Sequence, residues 1–184
     1  MTCWAVFVDR DGVLTDPVVA PVHARDMRVI DGAARAVEAL KSAGALVIVV
    51  TNQPEISRGN LTWAELELMH VHLREELAVD DIVVCPHAGS SCACRKPRAG
   101  MLLDAADRFG IGLSESWMVG DRWVDIAAGR AAGATTVLID RPYSWAGTSA
   151  GAPAERLKPD VVATDVGDAA ARIVGSRPFA LACE

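Results

Sequence analysis

Asp9-Arg10-Asp11-Gly12-Val13-Leu14-Thr15 follows directly on the apolar run Trp4-Ala5-Val6-Phe7-Val8. The run reads as a buried strand, so two carboxylates stand where that strand ends. Alternation along an extended backbone points both side chains the same way. Charges of this kind rarely enter an interior unpaired, and a bound cation would neutralise them. Gly12 permits a turn sharp enough for a phosphate to come close to the backbone. One carboxylate could attack phosphorus while the other moves protons. Taken alone, the pair also fits an ordinary acidic turn or the opening of a calcium loop. The calcium loop fails on spacing, because Val13 and Ala20 occupy its fifth and twelfth ligand positions.

Working outward, 184 residues suit a single domain over 1–184 with a proper core. A net charge of −6 disfavours nucleic acid or an anionic membrane as main partner. It leaves an anionic small substrate open, because local charge decides there. The longest apolar stretches, such as Ala45 to Val50, are strand length and too short to span a bilayer. The N-terminus shows no cationic region followed by a long apolar region and a small-residue cleavage site, so no secretory leader is expected. A cytoplasmic monomer is expected, with thiols kept reduced.

Apolar strand-like runs alternate with amphipathic helical stretches. Strands are expected at Trp4–Val8, Ala45–Val50, Asp81–Cys85, Ser116–Val119, Thr135–Ile139 and Asp160–Ala163. Helices are expected at Asp31–Ser42, Thr62–Ala78, Ala99–Phe109, Val124–Ala132 and Asp168–Val174. Thr62 reads as an N-cap, with Glu65 completing a capping box. This alternation implies an α/β, Rossmann-like parallel sheet with helices on both faces. Ligands of such sheets sit at the carboxyl ends of the strands. Between Leu14 and Asp31 there is room for a loop and not for a separate cap domain. Residues 142–159, rich in Gly, Ser, Ala and Pro, read as a flexible connection.

Four strand ends carry polar residues of matching chemistry. The first gives Asp9 and Asp11; the second gives Thr51-Asn52-Gln53, a hydroxyl and amides that can hold phosphate oxygens. Arg95-Lys96-Pro97 follows the third, and Gly120-Asp121-Arg122-Trp123-Val124-Asp125 ends the fourth. Each has an ordinary structural explanation by itself, such as Asp121 as a helix N-cap. All four on one sheet edge is the pattern a phosphoryl-transfer site requires.

These segments resemble, in their order, the four motifs of the haloacid dehalogenase superfamily of phosphohydrolases. Within it they are similar to the subgroup that holds the heptose-bisphosphate and histidinol-phosphate phosphatases. The resemblance runs from Asp9 to about Asp140. It implies that Asp9 is the nucleophile that forms an aspartyl-phosphate and Asp11 the general acid and base. It implies that Thr51 and Lys96 bind the transferring phosphoryl group. Catalytic Mg2+ would be held by Asp9, the main-chain carbonyl of Asp11, and Asp121, with Asp125 behind them. The expected partner is a small phosphorylated sugar. Arg95 and Arg122 would recognise it beyond the reacting phosphate, and Asn52 would contribute to its binding.

Cys85-Pro86-His87 and Cys92-Ala93-Cys94 place three thiols and one imidazole within ten positions. Cys3His is a known composition for a closed structural Zn2+ site, so 85–94 reads as a zinc-binding loop. A disulfide is disfavoured by the reducing compartment, and a Cys–His nucleophile leaves two cysteines unexplained. The loop abuts Arg95 and Lys96, so clamping it would fix two cations at the site entrance. Elsewhere, Cys3 reads as a buried thiol and Cys183 as a tail residue. His70 and His72 point to different faces of their helix.

Arg10, Arg58, Arg95, Lys96, Arg98 and Arg122 all lie in or beside the strand-end segments. So many cations suit a sugar bisphosphate better than a single phosphate, and favour a heptose bisphosphate over histidinol phosphate. Two other classes compete. A phospho-accepting signalling domain would place its acceptor after the third strand, where this chain has Cys85. A zinc-stabilised binding protein would leave the acidic pair at a desolvation cost with no role.

Overall fold

Strands that are apolar throughout need cover on both faces, and this chain supplies it by winding helices to either side of one parallel sheet. The computed structural model describes residues 3–16, 21, 23–89, 91–147 and 157–176. The elements run β1 Ala5–Val8, α1 Ala33–Ser42, β2 Leu46–Asn52, α2 Trp63–Leu77, β3 Asp81–Cys85 and α3 Gly100–Phe109. They continue through β4 Trp117–Gly120, α4 Trp123–Ala132, β5 Thr135–Ile139, β6 Val161–Ala163 and α5 Val166–Ser176. All strand pairs are parallel, in the order β3-β2-β1-β4-β5-β6. Winding therefore reverses between β1 and β4, which is where open α/β sheets form their ligand crevices.

The expected alternation of strand and helix is what forms, and its physical basis is visible in β1. Val6 and Val8 enter a core with Val47, Val49, Leu66, Met69 and Ile173, on the side of α1, α2 and α5. Ala5 and Phe7 enter the opposite core with Ile48, Val50, Met101, Leu102 and Met118, on the side of α3 and α4. What looks like a uniform apolar run is thus a period-two pattern feeding two cores. Within 14–31 the described residues form a short 3-10 turn, Ala24–Asp26, and a single antiparallel bridge between Thr15 and Val29, with residues 17–20 and 22 outside the description.

Several boundaries depart from expectation, for local reasons. β2 continues past the apolar run because Thr51 and Asn52 still pair with Val84 and Cys85 of β3; ladder bonds ignore side-chain polarity. α5 begins two residues early because the Asp165 carboxylate accepts from the Asp168 amide at 2.8 Å, capping the helix. The expected capping box at α2 is only half formed. The Thr62 hydroxyl accepts from the Glu65 amide at 3.1 Å. The Glu65 carboxylate instead reaches across to the Ala24 amide at 3.1 Å and the His23 ring at 3.4 Å. It ties the 3-10 turn to α2 rather than closing its own helix end.

Cys3, expected as a thiol, is disulfide-bonded; Cys183 lies outside the described residues. Of the stretch 142–159, residues 142–147 form a turn against α4 and 157–159 lead into β6, while 148–156 lie outside the described residues. Among the described residues no helix is long and apolar enough to cross a membrane.

His70 on α2 is buried, and its Nε2 has no hydrogen-bond partner among the described residues. Burial, followed by the charge of Arg10, pushes its pKa from 6.5 down to about 4. Between those values the unfolded chain binds a proton that the folded chain refuses, so stability falls as pH falls through this window. The urea midpoint of the wild type should drop more steeply from pH 6.5 to 4 than that of His70→Met. Parallel curves would contradict the assignment.

Candidate active site

Asp9 continues the β1 ladder by one residue, its amide donating to the Val119 carbonyl at 2.9 Å. The chain then folds back sharply. The Leu14 and Thr15 amides both donate to the Arg10 carbonyl at 2.9 Å, and Gly12 sits at φ +92°. No side chain could replace its hydrogen, since a Cβ there would stand 2.0 Å from Asp121 Oδ2. The tight turn thus brings β1 and β4 chemistry into contact. Gly120 serves the same end on the other strand: a Cβ there would lie 2.1 Å from that of Asp125.

Lys96 is the centre of the arrangement. It is 1% exposed, and its Nζ lies 2.8 Å from Asp9 Oδ1 and 2.7 Å from Asp125 Oδ1. It also donates to the Val50 carbonyl at 2.9 Å. Three acceptors meet the three protons of one ammonium. Burial pulls its pKa down, but Asp125 and Asp9 more than offset this and push it up, so Lys96 stays charged.

One cation does not balance the acids around it. Asp9, Asp121 and Asp125 offer carboxylate oxygens within 4.8 Å of one another. Two like charges at that separation repel by about 3–4 kcal/mol at an effective dielectric near 20. Burial, helped by Asp125, Asp121 and Asp11 and opposed by Lys96, pushes the Asp9 carboxyl up to about 8. Burial and Asp125 push Asp121 up to about 6. Asp121 Oδ2 accepts from the Tyr143 hydroxyl at 2.8 Å, while its Oδ1 is buried with no hydrogen-bond partner among the described residues. An orphaned oxygen beside an over-charged cluster fits a hard divalent cation with oxygen ligands.

Asp11 is held from three directions. The Arg10 guanidinium donates to both of its oxygens at 3.0 Å. Gln53 Nε2 donates to Oδ2 at 2.9 Å, and the Thr15 hydroxyl to Oδ1 at 3.3 Å. Asp9, Asp11, Asn52, Arg95, Lys96 and Arg122 line one cleft of ≈ 240 Å³, with Pro54 and Val124 at its sides. Thr51 is fully buried and does not line it; its hydroxyl accepts from Gln53 Nε2 at 2.8 Å. Asn52 directs both ends of its amide to the Lys96 backbone, donating to the carbonyl at 3.2 Å and accepting from the amide at 3.1 Å.

The crowd of cations thins on inspection. Arg10 is buried on Asp11, Arg58 pairs with Glu55, and Arg98 donates to the Cys92 carbonyl. Arg95 and Arg122 remain in the cleft beside Lys96. The Arg95 guanidinium donates to the His87 carbonyl at 2.8 Å, so its place depends on the cysteine loop. There, Cys85, His87, Cys92 and Cys94 converge as a possible metal-binding group. Cys85 Sγ lies 3.1 Å from Cys94 Sγ and 3.7 Å from Cys92 Sγ, and His87 Nδ1 lies 3.3 Å from Cys94 Sγ. Four such donors around one centre suit a tetrahedral ion.

Tyr143 is the residue that sequence reasoning missed. It is the chain's one tyrosine, set four residues past β5, within a stretch read only as a connection. The signal available was its place after a fifth strand end on the same sheet edge.

The model of the HAD-hydrolase-like family matches residues 93–169. A D-glycero-beta-D-manno-heptose-1,7-bisphosphate 7-phosphatase of Pseudomonas putida is 41% identical over 141 residues, spanning 73% of this chain and 81% of the relative. A D-glycero-alpha-D-manno-heptose-1,7-bisphosphate 7-phosphatase of Mycobacterium tuberculosis is 38% identical over 109 residues, 55% of this chain and 57% of the relative. Among solved structures, a D,D-heptose 1,7-bisphosphate phosphatase from B. bronchiseptica, complexed with magnesium and phosphate, superposes with a TM-score of 0.82. It is 30% identical, covering 94% of this chain and 99% of that one.

The Gly12 contact predicts a measurable effect. Gly12→Ala forces a left-handed backbone on a side chain, at about 1–2 kcal/mol, and drives a methyl group into Asp121. Urea unfolding should register the loss, and calorimetry should show weakened divalent-cation binding. Unchanged binding would contradict the packing.

Proposed function

The chain belongs to the haloacid dehalogenase-like hydrolases and is a phosphatase, and on that footing we propose that it removes the 7-phosphate of a D-glycero-D-manno-heptose 1,7-bisphosphate. The observation that carries this reading is the cleft in which Asp9 and Asp11 face Lys96, Arg95 and Arg122. Lys96 stands at the reacting end, and Arg95 and Arg122 line the same cleft where a second anionic group would lie. The names of the relatives point to the same substrate class.

The chemistry follows from which atoms are free. Asp9 Oδ1 is occupied by Lys96 Nζ and the Arg10 amide, which leaves Oδ2 to attack phosphorus. The oxygen–phosphorus bond of the sugar ester breaks as the Asp9–phosphorus bond forms, and Asp11, which must first turn out of its pair with Arg10 and take up a proton, gives that proton to the departing sugar oxygen. Asp11 then takes a proton from water as that water attacks phosphorus, releasing phosphate and restoring Asp9. Lys96, fixed by its three acceptors, needs no reorganisation to meet charge on the phosphoryl oxygens. Thr51 backs the phosphoryl site; its hydroxyl accepts from Gln53 and keeps its own proton to donate. Mg2+ held by Asp9, Asp121 and the Asp11 carbonyl would supply the remaining positive charge for an in-line displacement.

The reading includes Zn2+ at Cys85, His87, Cys92 and Cys94, where its role is structural. The loop it closes carries the His87 carbonyl that orients Arg95, so the ion would act on substrate recognition through backbone placement. Arg95 and Arg122 are assigned to the group beyond the reacting phosphate, and Asn52 to holding Lys96 in register.

Asp9→Asn should abolish turnover while the variant still folds with wild-type zinc content, at a lower melting temperature because Lys96 loses one buried carboxylate partner; retained turnover would refute the nucleophile. In a panel of heptose 1,7-bisphosphates of both anomers, their monophosphates and histidinol phosphate, a heptose bisphosphate should give the highest kcat/KM. Preference for histidinol phosphate would overturn the substrate.

A further inference from the structure

Tyr143 touches two parts of the site with different atoms. Its hydroxyl donates to Asp121 Oδ2 at 2.8 Å. The Arg122 guanidinium carbon lies 4.8 Å from the centre of its ring, within cation–π range. The side chain is itself held firmly. The turn that carries it is closed by the Ser144 amide on the Arg141 carbonyl at 3.0 Å and by the Arg141 amide on the Ser144 hydroxyl at 2.8 Å. The Ser144 carbonyl in turn accepts from the Trp123 amide at 2.9 Å, which docks the turn on the start of α4.

We propose that Tyr143 is a positioning residue with two separable tasks: its hydroxyl makes Asp121 a one-oxygen metal ligand, and its ring sets Arg122 for the second anionic group of the substrate. The first task follows from the two oxygens of Asp121. Oδ2 is wedged between the Tyr143 hydroxyl and Gly12, where an added Cβ would meet it at 2.0 Å. Oδ1 is buried without a hydrogen-bond partner among the described residues. The carboxylate therefore presents one oxygen in one direction. Mg2+ demands near-ideal octahedral geometry and is served by such single-oxygen contacts, whereas a free carboxylate can rotate or chelate with both oxygens. Partners that orient a metal ligand commonly matter 10–100-fold in affinity.

The second task follows from Arg122. It is half-buried at the cleft wall beside Val124, and its flexible stem would otherwise sample many rotamers. An aromatic face under the guanidinium restricts it while leaving its N–H groups free for an anion. One side chain thus links the metal end of the site to the recognition end.

This inference rests on the metal assignment above, and the experiment separates the two. Mn2+ serves as the probe, with its binding to the zinc-loaded, substrate-free protein followed by electron paramagnetic resonance. Tyr143→Phe removes the hydroxyl and keeps the ring; Tyr143→Leu removes both. Both variants should bind Mn2+ roughly 10–100-fold more weakly than the wild type. Only Tyr143→Leu should also raise KM for a heptose bisphosphate, roughly two- to fivefold, with KM for the 7-monophosphate unchanged. Wild-type Mn2+ affinity in Tyr143→Phe would overturn the first task, and an equal KM in both variants the second. If the wild type itself binds no Mn2+, the metal assignment fails and takes this inference with it. Matching melting temperatures and zinc contents exclude a general loss of fold, which would not divide the two effects between two variants.

Discussion

A lysine ammonium shut away from water between two carboxylates is the constraint on which the rest of this site depends. Lys96 could not be buried without Asp9 and Asp125, and those acids could not sit so close to Asp121 without Lys96. Removing either partner from such a pair leaves an uncompensated buried charge, typically worth 3–5 kcal/mol. The three protons of Lys96 are all used by Asp9, Asp125 and the Val50 carbonyl, so its position is set by three different elements at once. A group fixed that rigidly can meet new negative charge on a phosphoryl oxygen without moving.

The sheet order explains why these particular elements converge. Reversal of winding between β1 and β4 opens a crevice at their carboxyl ends. Asp9 and Asp121 follow adjacent strands and so face each other across roughly one interstrand spacing, about 4.8 Å. Gly12 and Gly120 permit this because neither carries a side chain where Asp121 and Asp125 must sit. Backbone topology supplies the proximity, and two glycines remove what would prevent it.

Much of this was legible in the residues. Apolar runs bounded by turn residues located the strands, because in a parallel sheet both faces bury and no polar alternation intervenes. Asp9, Asp11, Lys96 and Asp121 were legible because each follows a strand end with chemistry that an ordinary turn does not need. What stayed hidden depends on side-chain direction. Arg10 counts as a cation near the cleft in the sequence, yet it turns inward onto Asp11 and is fully buried. Glu65 matches a capping box by spacing, yet a nearer pair of donors at His23 and Ala24 takes its carboxylate. Tyr143 could not be placed at all, since composition marks its surroundings as a connection while long-range contacts bring it to Asp121.

The position of the cysteine loop has a reason in the same terms. The described residues of 86–99 form no helix or strand, yet they must hold Lys96 among its three acceptors. A segment without a repeating ladder gains order only from discrete ties. Asn52 grips the Lys96 backbone on both its amide and its carbonyl, and the Gly100 amide closes back on Ala93 at 3.2 Å. The His87 carbonyl receives Arg95, and the Cys92 carbonyl receives Arg98. Two of these ties end on residues of the Cys3His cluster, so an ion bound there would stiffen the carbonyls that orient the cations. The placement of Lys96 and of Arg95 then draws on one irregular loop, held at one end by β2 and at the other by the converging side chains of Cys85, His87, Cys92 and Cys94.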